Sequence, residues 1–425
     1  MSSVPLIKLR EYEKKPSDEH EDYTLDKKLD QELWKELEEK KILKITRDAI
    51  SSKLKFEAFS QIGVAQFANF TITINPKFTN IENLVKLINY VYDLDIDIIP
   101  ESEVKFRDES NMLTEIIISS FLSQCRNLIR QGLYKSYVLR QDRNMPSLRG
   151  KLLLVQQLQN DARSNAKFAC EYDELEYDNL ENQILLYCLH RCSGWTIIDS
   201  KRNEINRLIQ QISPFVNDRI NITVDHFKKI NYTRLNQYYE KTHQLCKIIV
   251  QNIGISDFYE QKTSFVNSFF VDMNWVFEEF FSKLVKQYYP LPSKEQVIES
   301  SWVSTLGYTK ANEPDILIYE ENGKDIKYIL DTKYKDSFNE DGTPKIKTED
   351  VRQLLDYMTH QGKTEGYLIY PKTKKSKPDE YKAENRDFTV KTRYIDIDKA
   401  IDLIYLKDSK TRKEEILTML KEILQ

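Results

Sequence analysis

The sequence predicts a multidomain α+β protein, with a β-containing N-terminal domain over 1–108, a mainly helical middle domain over 109–262 and a C-terminal α/β domain over 263–425. Three observations carry this reading. Runs of β-branched and aromatic residues broken by turns fill 52–78. Apolar residues at three- and four-residue intervals dominate from 111 to about 260. From about 265 onward the pattern runs helix, strand, strand, helix, strand. At 425 residues the chain is long enough for two or three cores.

Composition narrows the function classes. Hydrophobic residues make up 40% and charged residues 31%, with a mean hydropathy of -0.58, a soluble globular balance. No apolar run approaches the roughly 20 residues needed to cross a bilayer, so no membrane role is expected. The opening MSSVPLIKLREYEKK lacks the apolar centre of a signal peptide. Five scattered cysteines suit a reducing cytoplasm rather than a disulfide framework. The net charge of -4 argues against a dedicated nucleic-acid binder, because phosphate neutralisation needs Lys and Arg. Any DNA surface is therefore a local patch or belongs to a partner.

Along the chain, residues 8–45 are charge-dense and read as mostly helical, anchored by Leu33, Trp34, Leu37 and Leu43. Short strands come next within 52–78, then a helix over 81–94. The middle region opens with the helix LTEIIISSFLSQCRNLIRQGL, breaks into extended chain at 144–154, and resumes as helix at 179–192 behind Asn179, a plausible N-cap. That helix contains CLHRC. At 100° per residue His190 projects about 200° away from Cys188, and no second ligand pair is near, so core cysteines are favoured over a zinc site. In DMNWVFEEFFSKLVKQYY (272–289), the spacing of Phe277, Phe280, Phe281, Leu284 and Val285 predicts one buried face. Glu278 lies at its edge, as a boundary charge or a group pointing into a site, and Glu279 lies well away as a solvated charge.

The chemistry concentrates in EPDILIYEENGKDIKYILDTKYKD (313–336). Asn322-Gly323 between two β-rich runs signals a hairpin. Alternation puts Asp331 and Lys333 on one face of the second strand, whose core face reads as Ile326, Tyr328 and Leu330. Antiparallel pairing can bring Asp315, just after Pro314, beside Asp331. Two carboxylates suit Mg²⁺, which polarises a phosphate and acidifies water. The lysine can position or deprotonate that water, or stabilise charge on the phosphorane. In the next helix Val351, Leu354, Leu355 and Met358 read as buried. Gln353 and Tyr357, four apart, form a second stripe for packing or for the site. The lysines of PKTKKSKP (371–378) suit phosphate contacts or a solvated loop. GKT at 362–364 is not a P-loop, since the required glycine position holds Tyr357, and no nucleotide is expected to bind this chain.

These residues resemble the PD-(D/E)XK nuclease superfamily in its D-x-K form. With their surroundings they resemble the McrC family of nuclease subunits from McrBC-type restriction systems. MNWVFEEF, PDILIY, ILDTKYK and DVRQLLDYMTHQGKTEGYLIYP carry the specific part of the likeness. RGKLLLVQQL, FACEYDELEYDNLENQILLYCL and IGVAQFANFTITINPKF extend it to about 60–405. The resemblance implies a nuclease fold with a central mixed sheet. It implies Asp315 and Asp331 as metal ligands, Lys333 as catalytic lysine, Glu278 as a supporting helix acid that also faces the metal, and Gln353 and Tyr357 as a Q-x-x-x-Y element. It also implies Mg²⁺ or Mn²⁺, double-stranded DNA with or without base modification, and a hexameric McrB-like AAA+ GTPase stimulated by the N-terminal domain. The rival readings are a stand-alone nuclease of repair or recombination and a non-enzymatic adaptor, which has no use for the Asp315, Asp331, Lys333 set.

Overall fold

In the computed structural model the chain divides into two compact units, residues 1–113 with 268–425, and residues 114–267. The structure describes residues 5–16, 25, 30–47, 53–94, 112–196, 198–217, 221–251, 269–295, 299–303, 309–312, 314–339, 341–384 and 387–424. The boundaries expected at 108 and 262 lie outside the described residues.

The first unit opens with β1 (Leu6–Arg10) and β2 (Lys14–Pro16), then α1 (Asp30–Glu39) and β3 (Leu43–Arg47). Among the described residues of 8–45, helix is confined to α1. Ile7 and Leu9 on β1, and Leu43 and Ile45 on β3, are buried between exposed lysines, a period of two too short to stand out among so many charges. Leu33 and Leu37 do anchor α1. Strands β4 (Leu54–Ala58), β5 (Gln61–Gln66) and β6 (Thr71–Asn75) occur as expected, then α2 (Ile81–Tyr92). Asn80 caps α2 by accepting from the Asn83 N–H at 2.8 Å.

In the second unit α3 (Met112–Gln131) precedes β7 (Ser136–Met145), β8 (Lys151–Leu152), α4 (Leu154–Ala162) and β9 (Phe168–Glu176). Helices α5 (Leu180–Trp195), α6 (Asp199–Ile212), α7 (Val224–Phe227) and α8 (Glu240–Gln251) complete it. The region expected to be mainly helical, with extended chain at 144–154, thus contains a three-stranded sheet, β7-β9-β8. Only Ala169 and Cys170 of these strands are buried, so no alternation of core residues marks them. The backbone ladder joins them, and charged side chains pair across it, as where Arg140 donates twice to the Glu176 carboxylate at 2.6 Å. Asn179 caps α5, accepting from the Asn182 N–H at 3.1 Å. Cys188 and Cys192 are buried within α5, where burial pushes both thiols up, whereas His190 is exposed.

The chain then re-enters the first unit through β10 (Phe269–Asp272) and α9 (Met273–Tyr288), continuing into β11 (Ser293–Glu295), β12 (Glu299–Val303) and β13 (Thr309–Asn312). Next come β14 (Ile316–Tyr319), β15 (Ile326–Thr332), α10 (Thr348–His360), β16 (Glu365–Pro371), β17 (Asp379–Lys382), β18 (Thr389–Ile395), α11 (Ile397–Ile404) and α12 (Ser409–Leu424). The main sheet is mixed, ordered β11-β14-β15-β16-β18-β17, with β15, β16 and β18 parallel neighbours. A parallel β15–β16 pair needs a crossover, which α10 supplies. Leu354 and Met358 of α10 pack on Leu317, Ile329 and Leu368, and Gly366 lets the helix approach: a Cβ there would meet Met358 Sδ at 2.7 Å.

The N-terminal and C-terminal segments, separate domains by sequence pattern, share this unit. β10 adds to the sheet β1-β6-β5-β10, where Phe269 pairs with Val64 and Asp272 with Gln61. Helix α2 packs on α9.

Candidate active site

The site is built where β14 and β15 leave their hairpin pairing. At the far end Gly323 adopts φ 65, and Asn322 accepts from the N–H groups of Lys324 and Asp325, closing the turn that the Asn-Gly pair signals. Ile316 pairs with Leu330, so one residue further sets Asp315 beside Asp331. Asp315 is tied down by one oxygen: its Oδ2 accepts from the Thr332 N–H and the Thr332 hydroxyl, both at 2.7 Å.

The core face of β15 differs from the expected one. A bulge pairs Tyr319 with Ile326 but Ile318 with Tyr328, skipping Lys327. This puts Ile326 with Ile329 against α10, and Tyr328 and Leu330 on the opposite face. Asp331 shares the α10 face and is 0% exposed.

Asp331 Oδ1 is buried without a hydrogen-bond partner among the described residues, and Oδ2 has the Lys333 ammonium as its partner at 2.6 Å. Burial, and then the Asp315 carboxylate, push the Asp331 pKa up to about 7 against the pull of Lys333. Burial also raises Asp315, opposed by its Thr332 bonds. For Lys333, burial works against the charge, but Asp331 and Asp315 outweigh it and hold the ammonium above its ordinary pKa. Lys333 Nζ also donates to Gln353 Oε1 at 3.1 Å, and Gln353 Nε2 donates to the Tyr357 hydroxyl at 2.5 Å. Tyr357 is buried, which pushes its pKa up to about 12.

Five of the residues singled out from sequence therefore meet: Asp315, Asp331, Lys333, Gln353 and Tyr357. The sixth, Glu278, is half-buried on α9, next to Phe277, whose ring lies 5.5 Å from that of Tyr334. Glu279 is half-buried too, rather than solvated, on a helix covered by α2, where Tyr92 meets Trp275 at 5.1 Å. Two partners carry no signal in the sequence pattern. Thr332 passes as the spacer of D-x-K. Asp350, at the start of α10, pairs with Lys335 Nζ at 2.6 Å and adds to the field on Asp331 and Lys333, a role that only helix packing reveals.

Among the described residues no three His, Cys, Asp or Glu side chains form a metal cluster. The donor set here is the Asp315–Asp331 pair. A buried carboxylate oxygen with no donor, such as Asp331 Oδ1, suits a hard cation, and Mg²⁺ takes one or two carboxylates plus water and phosphate oxygens. The lysines of 371–378 are exposed. GKT at 362–364 lies between α10 and β16, the reverse of the strand–loop–helix order of a P-loop.

The family model of the McrBC 5-methylcytosine restriction system component matches residues 56–371. No curated protein matches the chain. Among solved structures, a chain of the half-complex from a tetradecameric assembly of Thermococcus gammatolerans McrB AAA+ hexamers with bound McrC is 20% identical, with a TM-score of 0.59, over 98% of this chain and 100% of that one. A chain of the Thermococcus gammatolerans McrBC complex is 22% identical over 68% of this chain and 89% of that one, with a TM-score of 0.47. At such identity the first likeness shows a shared fold. The family match is the stronger finding, since it spans most of the chain and contains all six candidate site residues. This chain belongs to the McrBC 5-methylcytosine restriction system component family.

Proposed function

We propose that this chain is the nuclease subunit of its restriction system, a metal-dependent endodeoxyribonuclease of the PD-(D/E)XK type that cuts DNA when coupled to an AAA+ GTPase. One observation carries the reading: Asp331, buried and with its Oδ1 lacking a hydrogen-bond partner, sits between Asp315 and a charged Lys333. Asp315 and Asp331 would hold Mg²⁺ or Mn²⁺, with Glu278 as a supporting acid. A cation bound there supplies charge that polarises the scissile phosphate and lowers the pKa of water.

Lys333 keeps its proton in this setting, which favours charge stabilisation on the phosphate over a role as base. Gln353 fixes the ammonium, and Tyr357 fixes Gln353. A non-enzymatic adaptor gains nothing from a buried Asp331 beside Asp315, an arrangement that costs stability.

For the partner, the Thermococcus gammatolerans assembly joins McrB AAA+ hexamers to McrC. We extend that arrangement to this chain, with nucleotide bound by the partner alone. The sequence resemblance puts motor contact in 1–108. In the second unit Tyr137, Leu139 and Leu175 of the sheet and Leu154, Val155 and Leu158 of α4 are all exposed, an apolar surface suited to a protein partner. We propose this surface as a docking site beside the motor contact in 1–108. No helix among the described residues is long and apolar enough to cross a membrane.

The test is plasmid cleavage by the purified chain in Mg²⁺, with and without the AAA+ subunit of its own system and GTP. Cleavage that requires both supports coupling. Equal cleavage by the chain alone identifies a stand-alone nuclease instead.

A further inference from the structure

Lys333 lies one residue past the end of β15. Its backbone N–H donates to the Ile369 carbonyl at 2.8 Å. The next residue, Tyr334, is gripped from the N-terminal segment. Glu11, just after β1, is 0% exposed. Its Oε2 accepts from the Tyr334 hydroxyl at 2.9 Å and the Lys77 N–H at 2.8 Å, while Oε1 is buried with no partner. Tyr12 donates its hydroxyl to the Tyr334 carbonyl. Tyr12 sits at φ 61, a conformation that bulky residues rarely take, in the turn closed by the Glu13 N–H on the Arg10 carbonyl. Lys77 forms an ion pair with Asp336. The Tyr334 ring is wedged edge-on to Phe78 at 5.0 Å.

Packing alone does not account for this arrangement. A carboxyl group buried with one orphaned oxygen destabilises a fold, and an apolar side chain of similar size avoids that cost. Strained backbone and orphaned polar groups persist where the surrounding structure uses them. Burial pushes the Glu11 pKa up to about 8, with Lys77 opposing.

We propose that Glu11 and Tyr12 are positioning residues for Lys333: by gripping Tyr334 at both its hydroxyl and its carbonyl, they fix the backbone that aims the lysine at the Asp315–Asp331 pair. This inference rests on the reading of Lys333 as a catalytic group. It makes the N-terminal segment part of the nuclease machinery without any contact to DNA.

The experiment uses the full chain assembled with its AAA+ subunit, GTP, Mg²⁺ and plasmid DNA. The variants are Tyr12→Phe, Tyr334→Phe, Glu11→Ala and Glu11→Gln, with Lys333→Ala alongside. Misplacing a catalytic group slightly costs on the order of ten- to a hundredfold, so the two Phe variants and Glu11→Ala should lose about that much kcat. Their KM for DNA and their calorimetric Mn²⁺ affinity should stay at wild-type values. Glu11→Gln still accepts both hydrogen bonds and should retain wild-type kcat. If Glu11→Ala fails to fold, the Phe variants, each lacking one hydroxyl, decide. Wild-type kcat in both Phe variants beside an inactive Lys333→Ala overturns the inference. So does a folded Glu11→Gln as slow as Glu11→Ala. Wild-type cleavage by Lys333→Ala would instead sink the nuclease site itself, and the inference with it.

Discussion

Asp331 shows how one residue can carry the chemistry of a site. Its folded pKa of about 7 stands above the ordinary 3.8, so between those values the folded chain holds a proton that the unfolded chain releases. Stability from this group is therefore present at low pH and is lost as pH rises toward about 7. Above that point the folded protein contains an ionised, hydrogen-bond-poor carboxylate, which is when a cation binds best. We predict that Mn²⁺ affinity, measured by calorimetry, falls about tenfold per pH unit below 7, where one proton competes with the metal. In Asp331→Asn the residual affinity should lose most of this slope. An unchanged slope would place the titrating group elsewhere. At this scale the sequence is informative: Asp315, Asp331 and Lys333 emerge from a hairpin and strand alternation. Asp350 and the Thr332 bonds depend on how α10 and the strand ends pack, which no local spacing encodes.

At the scale of elements, legibility tracks burial pattern. β14, β15, α10 and β16 have long apolar runs or helical spacing, and their order is readable. β7 and β9 have charged, exposed faces, so their ladder leaves no hydrophobic signature. The bulge at Lys327 is equally silent, yet it reassigns Ile326 to the α10 face. The site depends on α10 lying close to β16, because Gln353 reaches Lys333 from that helix. Gly366 sets this distance. A Cβ there meets Met358 Sδ at 2.7 Å and Leu354 Cδ1 at 3.0 Å, both in a packed cluster. Gly366→Ala should therefore cost about 1–3 kcal/mol in denaturant unfolding and slow cleavage by shifting α10. Wild-type stability would mean that the two side chains rotate aside freely.

Over the whole molecule, the largest departure from the sequence pattern is that the ends of the chain share one unit. β5 pairs with β10, α2 covers α9, and Glu11 holds Tyr334. A chain beginning near residue 111 should consequently lose the cooperative unfolding transition of this unit rather than leave a folded nuclease domain. Calorimetry of that truncation would decide, and a preserved transition would show that 268–425 folds alone. Pairing between segments some 200 residues apart in sequence has no local signal, which is why it is not readable there. The assignment of DNA cleavage to the Asp315, Asp331, Lys333 site is tested most directly by assaying Asp331→Ala for plasmid cleavage and for stimulation of the partner's GTP hydrolysis in the same preparation. The account predicts cleavage reduced by about a hundredfold or more with GTPase stimulation intact. Cleavage at the wild-type rate, or loss of both activities together, would contradict it.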